Sequence, residues 1–332
     1  MPRLLQADDA GIRMAAERIR GGGVAAFPTE TVYGLGASTF EPAALREIYR
    51  MKGRPADNPL IAHVVDAADA RRLVRGWDAR CARLAAAFWP GPLTLILPRG
   101  EDVPDEAVAG LQSIAVRSPL HPVARSLLHA VKGPISAPSA NRSGHISPTT
   151  AAHVMADFPM EPDLLVLDGG RAGFGIESTV LDLTVEEPVI RRPGSVTAED
   201  LRRLLGPVSV AHAVEQGASP GTSLIHYAPD RPATMVPSAR LAPFLATLQE
   251  PAAVLAFPGT EVRTPHVVIR MEPDAEGYAR MLYAGLREAE STGLSRIVIE
   301  EPLGRDGIWL AVLDRLRRAV AERDGPTYRT HL

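Results

Sequence analysis

The chain holds a single cysteine, Cys81, so no internal disulfide can form. Its setting, Cys-Ala-Arg-Leu-Ala-Ala-Ala-Phe, suits a small buried helix residue better than an activated thiolate. Aromatic residues are also scarce, at 5% of 332 residues, which leaves little ring surface for stacking the bases of a single strand. Neither sign of charge dominates: 36 Lys and Arg against 39 Asp and Glu give a formal net charge of -3. That excludes a whole-molecule electrostatic grip on nucleic acid and leaves room only for a local basic patch. No apolar run approaches the roughly 18 residues a membrane-spanning helix needs. Met1 to Ala10 carries no apolar h-region or cleavage signature, so a cytoplasmic protein without a membrane partner is expected. Metal signatures are missing too, since H-E-x-x-H, C-x-x-C and paired-histidine spacing do not occur and the nine histidines are scattered. Gly169-Gly170-Arg171-Ala172-Gly173-Phe174-Gly175 lacks the G-K-[ST] ending of a Walker A loop and reads as a turn, and no G-x-S-x-G elbow is present.

What is present is enough for two compact domains, because 332 residues with 45% hydrophobic content can bury two cores. Val24 to Phe27, Leu60 to Val65, Leu93 to Leu97, Ile114 to Val116, Leu164 to Leu167 and Val180 to Leu183 read as strands, with helical spacing over Ala43 to Met51 and Ala79 to Phe88. Trp89-Pro90-Gly91-Pro92 stops the second helix and starts a strand. After Gly206 turn formers replace hydrophobic periodicity, which marks a linker. From Thr234 on, strands at Ala253 to Phe257, Val267 to Arg270 and Ile297 to Glu300 alternate with helices at Gly277 to Glu290 and Ile308 to Glu322, the order of a small Rossmann-like α/β unit. Phe257-Pro258-Gly259-Thr260 follows a strand without the G-x-G-x-x-G fingerprint, so this second unit is expected to regulate, cover or dimerise rather than bind NAD.

Chemistry concentrates in the first half. After the strand ending at Phe27 come Pro28-Thr29-Glu30-Thr31-Val32-Tyr33-Gly34-Leu35-Gly36, hydroxyls, a carboxylate and two glycines, the pattern of a strand opening into a functional loop. Downstream, Lys52 and Arg54 flank Gly53 ahead of Pro55, so two cations and a permissive backbone can converge on one anion, with phosphate the natural guest. Ser136-Ala137-Pro138-Ser139-Ala140-Asn141-Arg142-Ser143-Gly144 is a loop of hydroxyls, an amide and small residues able to approach a ligand closely. It also suits a Ser-rich turn capping a helix that starts near Thr149.

Six segments, PTETVYGLG, KGRPADNPL, WPGPLTLIL, SAPSANRSG, ESTVLDL and RRPGSV, resemble in order the YrdC-like family of threonylcarbamoyl-adenylate synthases over most of residues 10 to 200. SPGTSLIHYAP and GIWLAVLDRLRRA resemble the linker and last helix of its longer, two-domain type. The resemblance implies a YrdC-like domain over 1–206 with a twisted, open, mixed sheet and a concave active face, a linker or lid over 207–233, and the Rossmann-like domain over 234–332. It implies condensation of L-threonine, bicarbonate and ATP to threonylcarbamoyl-AMP and pyrophosphate for tRNA modification, with Mg2+ carried by ATP and the product passed to a tRNA threonylcarbamoyl-transferase complex. Lys52 and Arg54 would be catalytic. With Asn58, Ser139, Asn141, Ser143, Arg192 and Tyr227 they would hold ATP, while Thr31, His63, Arg117, Ser178 and Thr179 would hold threonine, Arg117 taking its carboxylate with a fork that Lys could not reproduce. Glu30 and Tyr33 rank below these as site candidates, since either could equally be a structural hydrogen-bonding group beneath the loop. The family's basic Met-Lys-Tyr-like stretch before the His-Tyr pair is Thr222-Ser223-Leu224-Ile225 here. Two alternatives stay open at this point: a related enzyme using carbamoyl phosphate, and an RNA-binding maturation module with weak, salt-sensitive affinity.

Overall fold

The computed structural model describes residues 1–211 and 227–321. The expectations placed on Ser219-Pro220-Gly221, Thr222 to Ile225 and His226 lie outside the described residues. Two compact units form, one from Met1–Ser143 and the described residues 147–211, the other from Gly144–Ile146 and the described residues 227–321. No helix among the described residues is long and apolar enough to cross a membrane.

The first unit is built on β1 Arg3–Gln6, β2 Ala25–Phe27, β3 Gly34–Ser38, β4 Ile61–His63, β5 Leu93–Pro98, β6 Ser113–Arg117, β7 Ile135–Ala137, β8 Leu165–Asp168, β9 Thr179–Asp182, β10 Val189–Arg192 and β11 Ser209–Val210. They join in the order β1-β8-β2-β3-β7-β4-β6-β5-β9-β10-β11. Parallel pairs such as β4 with β6 and β5 with β9 stand beside antiparallel ones such as β2 with β3 and β4 with β7, so the twisted sheet is mixed. Helices Asp9–Arg20 and Pro122–Val131 carry apolar faces that share a core with Phe27, Ile135 and Leu167. Helix Pro42–Lys52 packs its own face into the larger core with Leu35, Leu60 and Val64. Cys81 is buried in helix Ala79–Phe88, and burial pushes its thiol up to about 11, so it is an unreactive packing group.

The expected loop after Phe27 is shorter than its composition suggests. Gly34 and Gly36 lie in β3 rather than in a loop, paired with Phe27 and Ala25. A Cβ on Gly36 would stand 2.6 Å from Ile135 Cγ2 and 2.7 Å from Phe27 Cε1. Glycine is needed there because the neighbouring side chains fill the space above the strand, not because the backbone turns.

The second unit holds β12 Ala233–Pro237, β13 Ala253–Ala256, β14 Val267–Arg270 and β15 Ile297–Glu301, all parallel, in the order β12-β15-β13-β14. Helices Ser238–Ala246, Ala275–Ser291 and Ile308–Ala319 connect and cover them. The loop after β13 is tied down by protein groups: Glu300 accepts from Phe257 N at 2.8 Å and from the Thr260 hydroxyl, while Arg270 donates to the Phe257 and Thr260 carbonyls at 2.8 Å.

Candidate active site

The local sequence sets Lys52 and Arg54 on a helix end. Pro42 starts the helix, where a missing N–H costs nothing, and Gly53 ends it in the left-handed conformation at φ 59. Gly53 N then donates to Arg50 O and Arg54 N to Tyr49 O, so the chain reverses sharply between the two cations. Lys52 turns inward. Its Nζ donates to Ser139 O at 2.6 Å and to Asn141 O, and its own carbonyl accepts from Ser143 N at 2.8 Å. Burial, with Arg54 as a lesser cause, holds the ammonium well below its usual pKa. Arg54 binds its own loop: Nε donates to Asn58 O at 2.9 Å, and Nη2 to Pro59 O and the Asn58 side-chain oxygen. The structure thus brings Lys52, Arg54, Asn58, Ser139, Asn141 and Ser143 together around the end of one helix.

The loop after β2 is organised by the Thr29 hydroxyl, which donates to Val32 O at 2.6 Å and accepts from Thr31 N and Val32 N. This turn presents Glu30 and Thr31 to Arg117, the last residue of β6. Arg117 Nη2 donates to Glu30 Oε1 at 2.7 Å and Nη1 to Thr31 Oγ1 at 2.9 Å, while its buried Nε has no partner. The other Glu30 oxygen accepts from Leu120 N at 3.0 Å and His121 N at 3.4 Å, at the start of helix Pro122–Val131. Parallel register sets His63, the last residue of β4, directly beside Arg117. His63 Nδ1 donates to Ile61 O at 3.0 Å and the ring meets Phe27 edge to face. Burial, reinforced by Arg117, lowers its pKa to about 3, so the imidazole is neutral at ordinary pH. Tyr33, buried beneath, donates its hydroxyl to Gly170 O at 2.7 Å and is pushed up to about 12 by burial.

Thr179 opens β9 and Ser178 immediately precedes it. The Ser178 hydroxyl meets Thr94 Oγ1 at 2.8 Å and Arg192 Nη2 at 3.2 Å, and Arg192 Nε donates to Ser178 O at 3.2 Å. Thr179 is differently engaged: its hydroxyl donates to Val196 O at 2.7 Å and accepts from Val196 N at 3.1 Å, a clamp on the turn after Arg192. Thr31, His63 and Arg117 are therefore adjacent, Ser178 and Arg192 form a second cluster with Thr94, and the Thr179 side chain faces a structural bond. Tyr227 belongs to the second unit, where it is fully buried at φ 64 against Tyr283, with ring centroids 5.4 Å apart and the Arg315 guanidinium 5.4 Å from its own. Missing from the expected set were Glu177 and Ser147, joined by a 2.6 Å hydrogen bond from Ser147 Oγ to Glu177 Oε1, both buried. Glu177 opens the ESTVLDL segment, and a carboxylate amid buried strand residues was the signal available.

Comparison with known proteins adds to this geometry. A family model for Sua5, YciO and YrdC, described as "Telomere recombination", matches residues 17–194, and one described as "Threonylcarbamoyl-AMP synthase, C-terminal domain" matches 196–321. A threonylcarbamoyl-AMP synthase of Pyrococcus abyssi is 38% identical, covering 94% of each chain. One from Bacillus subtilis is 37% identical, covering 96% of this chain and 95% of its own. The crystal structure of P. abyssi Sua5 complexed with L-threonine superposes with a TM-score of 0.89 at 36% identity, covering 96% of this chain and 97% of that one.

Proposed function

Because the chain belongs to the Sua5/YciO/YrdC family in its two-domain form, we infer that it is an enzyme forming L-threonylcarbamoyl-adenylate for the threonylcarbamoyl modification of tRNA. L-threonine, the ligand of the P. abyssi structure, is its amino-acid substrate in this proposal, with bicarbonate and ATP as the others and pyrophosphate and water released. One observation supports it most. Among its described residues the first unit buries Lys52, Arg54, Arg117 and Arg192 beside the loop carboxylates Glu30 and Glu177. Asp182, also buried, is taken by Arg191. Guanidinium and ammonium groups gathered in this way suit carboxylate and phosphate guests.

The proposed division of labour follows position. Arg117, beside neutral His63 and the Thr31 hydroxyl, orients the threonine carboxylate, and Ser178 offers a further hydroxyl. Thr179 acts through the backbone turn it clamps. The amine captures bicarbonate or CO2, and the resulting carbamate attacks the α-phosphate of ATP. Lys52, Arg54 and Arg192, with Asn58, Ser139, Asn141 and Ser143 around them, stabilise charge on the phosphates, so catalysis is chiefly orientation and electrostatics. A bound polyanion would also restore the depressed Lys52 ammonium. Tyr227 is proposed to contact ATP. Mg2+ travels with ATP in this reading. Among the described residues no group of three or more His, Cys, Asp or Glu could hold a metal, and Glu30 and Glu177 are already engaged, so phosphate oxygens and water would supply its shell. The product passes to a tRNA-modifying transferase complex.

Pyrophosphate release from ATP, measured with L-threonine and bicarbonate together, with each omitted and with serine replacing threonine, tests the proposal. Release that needs both co-substrates supports it. Turnover that depends on carbamoyl phosphate instead, or none under any condition, overturns it.

A further inference from the structure

Within the first unit, Thr94 is the polar residue of the run Leu93-Thr94-Leu95-Ile96-Leu97, all of it buried in β5. A valine would fill that place without a hydroxyl to satisfy, so the hydroxyl calls for a reason. Parallel register sets Thr94 opposite Val180 of β9, and among the described residues its hydroxyl has one partner, Ser178 Oγ at 2.8 Å. The Ser178 backbone is fixed independently of this bond. Thr179 N donates to Pro92 O at 3.0 Å, Arg192 Nε donates to Ser178 O at 3.2 Å, and a Cβ on Gly194 would stand 2.4 Å from Thr179 N and 2.7 Å from the Ser178 carbonyl carbon. What remains to be set is the direction of the Ser178 hydroxyl proton.

That direction follows from the donors around it. Arg192 Nη2 can only donate, and at 3.2 Å it occupies one lone pair of Ser178 Oγ. Thr94 and Ser178 share a single hydrogen bond, so one of their hydroxyl protons has no acceptor among the described residues. Were Ser178 the donor, the leftover proton would sit on Thr94, inside the apolar run of β5, and a buried donor without an acceptor is costly. With Thr94 as the donor, the leftover proton is on Ser178, beside Arg192. We propose that Thr94 is a positioning residue for the amino-acid substrate: its hydroxyl fills the second lone pair of Ser178 and so commits Ser178 to donate to an oxygen of threonine or of its carbamate, rather than to accept from the amine. Donation from Arg192 and Thr94 polarises the Ser178 O–H and strengthens the bond it makes. The proposal rests on the assignment of L-threonine to Ser178.

The test uses the full chain with Thr94→Val, which keeps the shape and loses the hydroxyl, Thr94→Ala as a second way of removing it, and Thr94→Ser, which retains it. Ser178→Ala and its combination with Thr94→Val complete the set. Dissociation constants for L-threonine are read by titration calorimetry, with melting temperatures beside them. Thr94→Val is expected to weaken threonine binding about three- to tenfold, the share of one hydrogen bond, without a fall in melting temperature. Thr94→Ser should bind within about twofold of wild type, and the double variant should bind no more weakly than Ser178→Ala alone, because Thr94 acts through that hydroxyl. Unchanged threonine affinity in the Val and Ala variants, with or without a fall in melting temperature, marks a purely structural hydroxyl and overturns the proposal. Losses that add in the double variant overturn it as well. A wild-type protein that binds no L-threonine defeats the functional reading, and the proposal with it, before any variant is compared.

Discussion

Replacing Glu30 with alanine would strip Arg117 of its counter-charge. Both side chains are at least nine-tenths buried and the pair is 2.7 Å apart, so the guanidinium cannot recover water when the carboxylate is gone. Removing one partner of such a pair typically costs ~3–5 kcal/mol. Leu120 N and His121 N lose their acceptor as well, at ~1–3 kcal/mol for each donor left dry, though these terms overlap and do not simply add. Against a domain stability of about 5–15 kcal/mol, Glu30→Ala should therefore leave the first unit marginal. Glu30→Gln keeps an acceptor and should lose only ~1.5–3 kcal/mol, the share owed to charge. Urea unfolding followed by tryptophan fluorescence reads this unit well, because Trp77 and Trp89 lie 5.8 Å apart within it. Saturating L-threonine should then rescue Glu30→Ala more than it stabilises the wild type, since the ligand carboxylate supplies the missing charge to Arg117. The neutral alcohol L-threoninol should not. A loss below ~1 kcal/mol in Glu30→Ala, against the 3–5 expected, or equal rescue by both ligands, refutes the placement of the threonine carboxylate at Arg117.

Three further outcomes follow from the same geometry. His63 has a folded-state pKa of about 3 against about 6.5 when unfolded, so the unfolded chain binds more protons between these values. Its contribution is complete above about pH 6.5 and is lost as pH falls toward 3; urea midpoints for wild type should fall more steeply over that window than for His63→Gln, and parallel curves would contradict a buried neutral imidazole. For Lys52, whose ammonium is held low by burial, ATP binding should raise the pKa and take up protons, so affinity falls with rising pH; titration calorimetry in buffers of different ionisation enthalpy would detect the uptake, and Lys52→Met should abolish it. Gly36→Ala places a methyl 2.6 Å from Ile135 Cγ2, and the overpacking should cost ~1–3 kcal/mol in thermal or urea unfolding.

Local chemistry was the legible part of this chain. Gly53 between two cations, Pro42 ahead of a helical run and Trp89-Pro90-Gly91-Pro92 after one each act on their immediate neighbours, and the structure ends or starts elements at those residues. The strand Gly34–Ser38 was not legible, because what makes glycine necessary there is the Phe27 ring and the Ile135 side chain, and Ile135 is nearly a hundred positions away in sequence. The same holds within the site. A fork such as Arg117 reads as free to bind a ligand, yet its occupants Glu30 and Thr31 lie 87 and 86 positions away. Thr179 reads as an available hydroxyl, and only the turn returning Val196 to it shows that hydroxyl committed.

Strand register is the step that converts these residues into a site. His63 and Arg117 end two short strands whose sequences say nothing of one another, and they become neighbours because β4 and β6 run parallel with Ile61 opposite Ala115. A slip of one residue would turn Arg117 to the opposite face of the sheet and leave His63 beside an apolar side chain. The register is held from the other side by antiparallel β7, which places Ile61 opposite Ala137, at the entry to the loop whose Ser139 and Asn141 carbonyls receive Lys52. The proposed threonine and nucleotide groups are thus set by the same three strands. A substitution that shifts β7, such as a bulkier residue at Ala137, should disturb both KM values together.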